Sequence, residues 1–266
     1  MLSPGVNTAA ADAYERRLVP GFLGPSAERV LELAAPRDGE AVLDVACGTG
    51  VALRLAARRA RLGRAAGVDI DAAMLAVAVR ASEEEGTHAQ WHCASALELP
   101  FGAAIFDLCL CLQGLQFFPD RAEALREMRR VLRPGGRVVA SAWGPPVASA
   151  AHQTMFDALA RLGRDPTGPS RGFSLEDPET LAGAFREAGY AEVRVVVAPS
   201  KARFTSVEDF IEANVAGSVA SRSALASLGA EERACLRDEM RLALSRYLAS
   251  GALEWPVRTH VALASS

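Results

Sequence analysis

The stretch Val42–Gly50, VLDVACGTG, constrains this chain most. An apolar run, Glu40–Val45, leads straight into Gly48-Thr49-Gly50, and Val51–Arg61 then takes up a helical pattern. Short apolar runs of this kind read as buried strands. Glycines in such a turn accept positive φ and leave no Cβ between the backbone and a ligand. The helix behind the turn aims its free N–H groups and positive dipole end at the same spot. About 20 residues on, a second strand-like run, Ala65–Ile70, carries Asp69 near its end, where a carboxylate accepts the hydroxyls of a ribose. A dinucleotide fingerprint needs a third glycine, but Leu53 stands there, and there is no phosphate-loop lysine. Asp44, just before the turn, would repel a phosphate and suits a cationic group such as an ammonium or sulfonium.

Strand and helix patterns alternate beyond this point. The expected strands are 40–45, 65–70, 88–94, 106–112, 137–143, 191–204 and 255–264. The expected helices are 26–34 (with Ser26 as N-cap), 51–61, 72–85 (with Asp71 as N-cap), 122–132, 148–162 and 179–188. Residues 165–172 read as a loop, and 207–250 as two or three helices broken near Gly217 and Gly229. Strands separated by helices mean β-α-β units and a parallel, doubly wound α/β sheet. Ligands of such sheets bind at the strand C-terminal ends. At 266 residues with 50% hydrophobic and 23% charged residues, a well-buried core is expected and bulk disorder is excluded.

No apolar run reaches the roughly 18 residues of a membrane helix. Met1–Ala13 has neither a basic start nor an apolar stretch, so no secretory signal is expected and a cytoplasmic location is the default. A net charge of −3 argues against a general affinity for nucleic acid or anionic membrane. The arginine-rich stretch 126–133 reads as a solvated helix face. The five cysteines, at 47, 93, 109, 111 and 235, form no CxxC pair, so neither a disulfide framework nor a metal site is expected. Cys109 and Cys111 read as buried small hydrophobes.

Five blocks in order, VLDVACGTG (42–50), GVDIDAAML (67–75), ASALELPF (94–101), FDLCLCLQGLQFFPD (106–120) and LREMRRVLRPGGRVVASAW (125–143), resemble the class I S-adenosylmethionine-dependent methyltransferases. The likeness is to the small-molecule branch near the ubiquinone and menaquinone biosynthesis enzymes. It is dense over 40–143 and looser for 14–20 and 255–264. It implies a Rossmann-like, doubly wound sheet of seven strands, mostly parallel with the last antiparallel, and a helical cap insertion. The chain would be one domain, 1–266. An N-terminal helical segment, 1–35, would lie over the cofactor, and 36–143 would form the cofactor-binding core. Segments 144–175 and 205–250 would form the substrate cap.

The resemblance also implies residue roles. The loop Asp44, Ala46, Cys47, Gly48 and Gly50 would hold the methionine end of S-adenosylmethionine, and Asp69 the ribose. Ile70 and Met74 would pack on the adenine, which Ser95, Ala96 and Leu97 would enclose. Leu112 and Gln113 would border the methionine moiety, and Tyr14 would reach in from the N-terminal segment. Two positions depart from the family pattern. Ala46 stands where glycine is frequent, and Ser95 where an aspartate usually takes the adenine amino group.

Methyl transfer is an in-line displacement in which alignment supplies much of the rate. A base is needed only where the acceptor carries a proton of high pKa. Of the histidines at 88, 92, 152 and 260, His152 is placed to serve as that base. Gln116, where relatives often have histidine, would orient the acceptor. Phe117 and Phe118 would line the pocket or staple a helix start. The expected activity is methyl transfer to an oxygen, nitrogen or carbon of a small, partly apolar metabolite, by a monomer or homodimer. The alternative is a protein of the same fold and cofactor that catalyses a cyclisation or rearrangement.

Overall fold

Every residue of β1 (Ala41–Val45) is buried, because this strand runs through the middle of the sheet. A computed structural model describes residues 6–249 and 251–266. The first five residues of the expected segments 1–35 and Met1–Ala13, and Ser250 at the end of 205–250, lie outside the described residues.

On one side β1 pairs with β2 (Arg64–Asp69), which pairs with the short edge strand β3 (Gln90–Cys93). On the other side β1 pairs with β4 (Phe106–Leu112), and β4 with β5 (Leu132–Trp143). All these pairs are parallel. After β6 (Val193–Phe204) the chain makes a two-residue strand, β7 (Leu248–Ala249), that turns back into β8 (Ala252–Ser265). β8 enters antiparallel between β5 and β6, so the order is β3-β2-β1-β4-β5-β8-β6. The seven-stranded sheet with an antiparallel last strand is the one expected, with β7 added at its margin. The strand order reverses between β1 and β4, and a crevice opens at the C-terminal ends of strands flanking such a switch point.

Side-chain caps fix several helix starts. Asp71 accepts the Ala73 N–H and opens α4 (Ala72–Glu84), as the sequence predicts. Asp120 does the same for α5 (Arg121–Val131), and Asp177 for α8 (Pro178–Glu187). Caps of this kind contribute about 1 kcal/mol each. α3 (Val51–Arg59) instead starts on Gly50, which is left-handed at φ +80°.

The predicted N-cap at Ser26 is corrected. Helix runs without interruption through α1 (Ala9–Ala13), a π-helical segment Tyr14–Leu23 that contains Pro20, and α2 (Gly24–Ala34). Proline cannot donate to the i−4 carbonyl, and the wider π turn absorbs the missing bond. Ser26 lies buried inside α2, and its hydroxyl pairs with that of Thr259 on β8 at 2.8 Å. The predicted loop 165–172 likewise holds a short helix, α7 (Thr167–Ser170), followed by a 3₁₀ turn at Arg171–Phe173.

One core lies between the sheet and α5 and α8, with Phe106, Met128 and Phe185 fully buried. The opposite face packs on α2 and α3 through Leu31 and Leu53. A third cluster joins Phe22 and Trp143 to α6 (Ala150–Arg161), α9 (Val207–Gly217) and α11 (Ala230–Leu244), with α10 (Arg222–Ala226) beside them. The helices of 144–175 and 205–249 thus build their own core over the strand ends. Cys109 and Cys111 are buried on β4, as expected. Among the described residues no helix is long and apolar enough to cross a membrane.

Candidate active site

A cavity of about 460 Å³ opens at the C-terminal ends of β1, β2 and β4, beneath the N-terminal helix and the cap. Its floor is the turn after β1. There Ala46 and Gly48 take φ of +56° and +54°, and the turn is locked by Cys47 N–H to the Val68 carbonyl and Gly50 N–H to the Cys47 carbonyl. Asp69, at the end of β2, reaches back to this turn. Its Oδ2 accepts the Gly48 N–H at 2.7 Å and its Oδ1 the Asp71 N–H at 2.9 Å. Burial pushes its pKa up, against those two bonds.

The cavity wall includes Tyr14, Ala46, Gly48 and Asp69 at this end. Ile70, Met74, Ser95, Ala96 and Leu97 continue it along β2 and the turn after β3, and Leu112 and Gln113 border it at the end of β4. Ile70, at this wall, is 76% exposed. The Ser95 hydroxyl accepts the Leu97 N–H at 3.1 Å and keeps its own proton free.

Three expected loop residues stand off this cavity. Asp44 and Cys47 border a smaller recess behind it, shared with Tyr14, Ala46 and Gln113. Gly50 lies against the Trp91 ring, where an added Cβ would come within 2.5 Å of the indole. Its missing Cβ makes room for the indole under the turn.

Asp44 is 1% exposed, and its Oδ2 has no hydrogen-bond partner. Burial first, and the Asp69 carboxylate second, push its pKa up to about 8. A sealed carboxyl with an orphaned oxygen is costly unless a cation or donor arrives beside it. Tyr14 is kept protonated by burial and by the carboxylates of Asp69, Glu15 and Asp44.

The other end of the cavity is aromatic. Phe117, Phe118, Phe173, Phe22 and Trp143 wall it, the last two stacked with centroids 4.2 Å apart. His152 and Gln116 supply its polar groups. Gln116 donates from Nε2 to Gln113 Oε1, and Gln113 donates in turn to Ser141 Oγ, which leaves the buried Gln116 Oε1 without a partner. His152 bonds Ser149 through Nδ1 at 2.8 Å, and burial lowers its pKa to about 3. The ring therefore stays neutral across the ordinary pH range. His88 precedes β3, His92 lies on it and His260 sits on β8; none of them borders the cavity.

Sequence reasoning missed three supports of the site. Trp91 fills the space that Gly50 and Gly67 leave. Arg54, 3% exposed, pairs with Glu15 at 2.5 Å and Glu85 at 3.0 Å and also donates to the Thr49 carbonyl, tying the N-terminal helix to the turn. Asn214 and Ser218–Ser221 reach the cavity from the cap. The one local hint was an arginine on the otherwise apolar face of α3.

Residues 43–140 match the family model described as a methyltransferase domain. The 2-phytyl-1,4-naphtoquinone methyltransferase of Thermosynechococcus vestitus is 34% identical over 59% of this chain and 74% of that protein. The chain belongs to the class I S-adenosylmethionine-dependent methyltransferases. The demethylmenaquinone methyltransferase of Thermus thermophilus is 37% identical over 44% of this chain and 54% of its own length. The nocamycin O-methyltransferase of Saccharothrix syringae is 29% identical over 71% of this chain and 73% of its own. The solved YcgJ protein of Bacillus subtilis shares the fold, with a TM-score of 0.61 at 17% identity over 91% of this chain and 97% of that one. As a methyltransferase of this class the enzyme takes S-adenosylmethionine as its cofactor. The residues present fit that cofactor. An orphaned, buried carboxyl oxygen at Asp44 suits a cation, and an added Cβ on Gly48 would meet nothing nearer than the Tyr14 hydroxyl, 3.8 Å away, so the backbone there is open to a ligand.

Proposed function

We propose that this methyltransferase acts on a hydroxylated, largely apolar cyclic small molecule of the quinol or polyketide type. The observation that carries this reading is the split cavity: carboxylates and an open glycine turn at one end, aromatic walls with a few polar side chains, His152 and Gln116 among them, at the other. Pockets of this make-up orient a mostly apolar ligand through a few polar groups. Relatives named for naphthoquinone, menaquinone and nocamycin methylation agree in substrate character.

In this reading Asp69 holds the ribose, and Ile70, Met74, Ser95, Ala96 and Leu97 enclose the adenine. Tyr14, Leu112 and Gln113 border the methionine portion. The backbone of Ala46 and Gly48 meets its polar end, with Cys47 behind the turn and Gly50 as its support. Asp44 supplies negative charge. When bound, the cofactor would supply an electrophilic methyl group on a sulfonium, with a neutral thioether as leaving group. Gln116 accepts a hydrogen bond from the acceptor, and the aromatic wall excludes water and fixes the ring plane. These contacts supply alignment, which is the main demand of the reaction.

The test is incubation of the purified enzyme with S-adenosylmethionine and a panel of reduced quinols and hydroxylated polyketides. S-adenosylhomocysteine and a methylated product, formed together, support the reading. Cofactor binding with no S-adenosylhomocysteine across the panel sinks the acceptor class, and a rearranged product without it would favour cyclisation chemistry.

A further inference from the structure

Ser149 occupies the N-cap position of α6, where a serine hydroxyl ordinarily accepts an N–H of the first turn, a bond that contributes about 1 kcal/mol. Here the hydroxyl makes no such bond. It faces His152 instead, with Oγ 2.8 Å from Nδ1, and the same oxygen accepts the Trp255 Nε1–H at 3.0 Å. Ser149 and Trp255 are both buried, and Trp255 is held between Phe204, stacked on it, and Phe210, edge-on.

Proton counting decides the direction of the serine–histidine bond. An indole N–H only donates, so Ser149 Oγ must accept from Trp255. The hydroxyl proton then needs an acceptor, and among the described residues His152 Nδ1 is the only one paired with it. The reverse arrangement, with a proton on Nδ1, would strand the hydroxyl proton without an acceptor in a buried site, which is unfavourable. With Nδ1 occupied, Nε2 is the nitrogen left for a ligand on a ring that borders the cavity. Phe22, Phe173 and Phe210, with centroids 4.7, 5.4 and 5.2 Å from the imidazole, hold the ring in place.

We propose that Trp255 and Ser149 fix His152 in its neutral Nε2–H form, so that His152 donates a hydrogen bond to an oxyanion of the acceptor and does not take its proton. This inference rests on the methyl-transfer reading above. Ser149 and Trp255 are positioning residues acting through His152. A neutral imidazole that donates to a charged oxygen is an established electrophilic arrangement. It selects acceptors whose hydroxyl is acidic enough to lose its proton to water beforehand, namely phenols, quinols and enols. The strong depression of the His152 pKa by burial agrees, since the ring gains no proton of its own at neutral pH.

Long-range ¹H–¹⁵N correlation on protein labelled with ¹⁵N-histidine reads the tautomer directly, with His152→Gln identifying the signal. The expected wild-type result is a proton on Nε2 and none on Nδ1, retained in Ser149→Thr and replaced by mixed tautomers in Ser149→Ala. A proton on Nδ1, or a charged ring, in wild type overturns the proposal, whether or not the variants fold. No acceptor is needed, so a failed turnover assay counts against methyl transfer and a wrong tautomer counts against this inference. With a turned-over quinol, His152→Gln, which keeps an N–H donor, is expected to stay within tenfold of wild-type kcat, and His152→Ala to fall further. Equal rates for all three would overturn the donor role.

Discussion

Asp44→Asn tests whether the glycine turn is poised for a cation. The buried carboxyl keeps its proton up to about pH 8, whereas in the unfolded chain it ionises near 3.8. Between those values the folded state binds a proton that the unfolded state has lost. The contribution of Asp44 to stability is therefore greatest below about pH 4 and is lost as pH rises through the window to about 8. At pH 7 roughly three pH units separate the solution from the unfolded pKa. At about 1.4 kcal/mol each, they set a penalty of up to about 4 kcal/mol. Asparagine does not titrate. Asp44→Asn, without ligand, is expected to unfold several degrees higher at pH 7 and to lose the part of the pH dependence between 4 and 8 that Asp44 contributes, beside those of Asp69 and His152. If, as proposed, a cation of the cofactor comes beside Asp44, it favours the carboxylate, so binding at pH 7 should expel close to one proton. Calorimetry in phosphate and in Tris, whose ionisation heats differ, counts that proton, and Asp44→Asn should bind S-adenosylmethionine more weakly without releasing it. Identical heats in both buffers, or an Asp44→Asn variant no more stable than its parent with the same pH slope, would refute the reasoning.

Asp69→Ala removes the bonds to the Gly48 and Asp71 N–H groups together with the proposed ribose contacts. The Kd for S-adenosylhomocysteine should rise at least tenfold, and nearer a hundredfold, in calorimetric titration; an unchanged Kd would sink the ribose assignment. Ser95→Asp offers a charged acceptor where a hydroxyl now stands and should tighten cofactor binding by up to about tenfold. No gain would mean that the adenine amino group does not face this position. Gly50→Ala forces a side chain into a φ +80° site and against Trp91, and urea unfolding should show a loss of about 2–4 kcal/mol. A loss under about 0.5 kcal/mol would show that the indole yields freely.

The readable parts of the sequence were those set by the backbone or by short-range chemistry. Apolar or alternating runs marked the main strands, although β5 begins at Leu132, before the expected Arg137, because its pairing with β4 extends past Pro134 to Phe106. The glycine turn announced itself because left-handed φ and ligand access both need the missing Cβ, and Asp71 because an N-cap acts within two residues. Ser26 misled because its hydroxyl serves a partner on β8, 233 residues away. Pro20 gave no sign that helix would continue through it as a π segment. Arg54 pairs across 31 and 39 residues, and Ser149 joins His152 to a tryptophan 106 residues on. Such contacts depend on packing that no local pattern encodes. Ala46 shows the limit from the other side. The loop keeps φ +56° even with alanine, because the bonds around it determine the turn.

The ladder between β6 and β8 pairs Phe204 with Leu253. The helices α9 to α11 therefore leave the sheet and return to it on adjacent strands, and the sheet itself closes their loop. Closure entropy grows only slowly with the length of such an excursion. This part of the cap can be shortened, rebuilt or exchanged for another helical insert while β1, β2 and the glycine turn stay in place. A graft between Phe204 and Leu253 would exchange Asn214 and Ser218–Ser221 at the cavity and leave Phe22, Gln116, Phe117, Trp143, His152 and Phe173 in place.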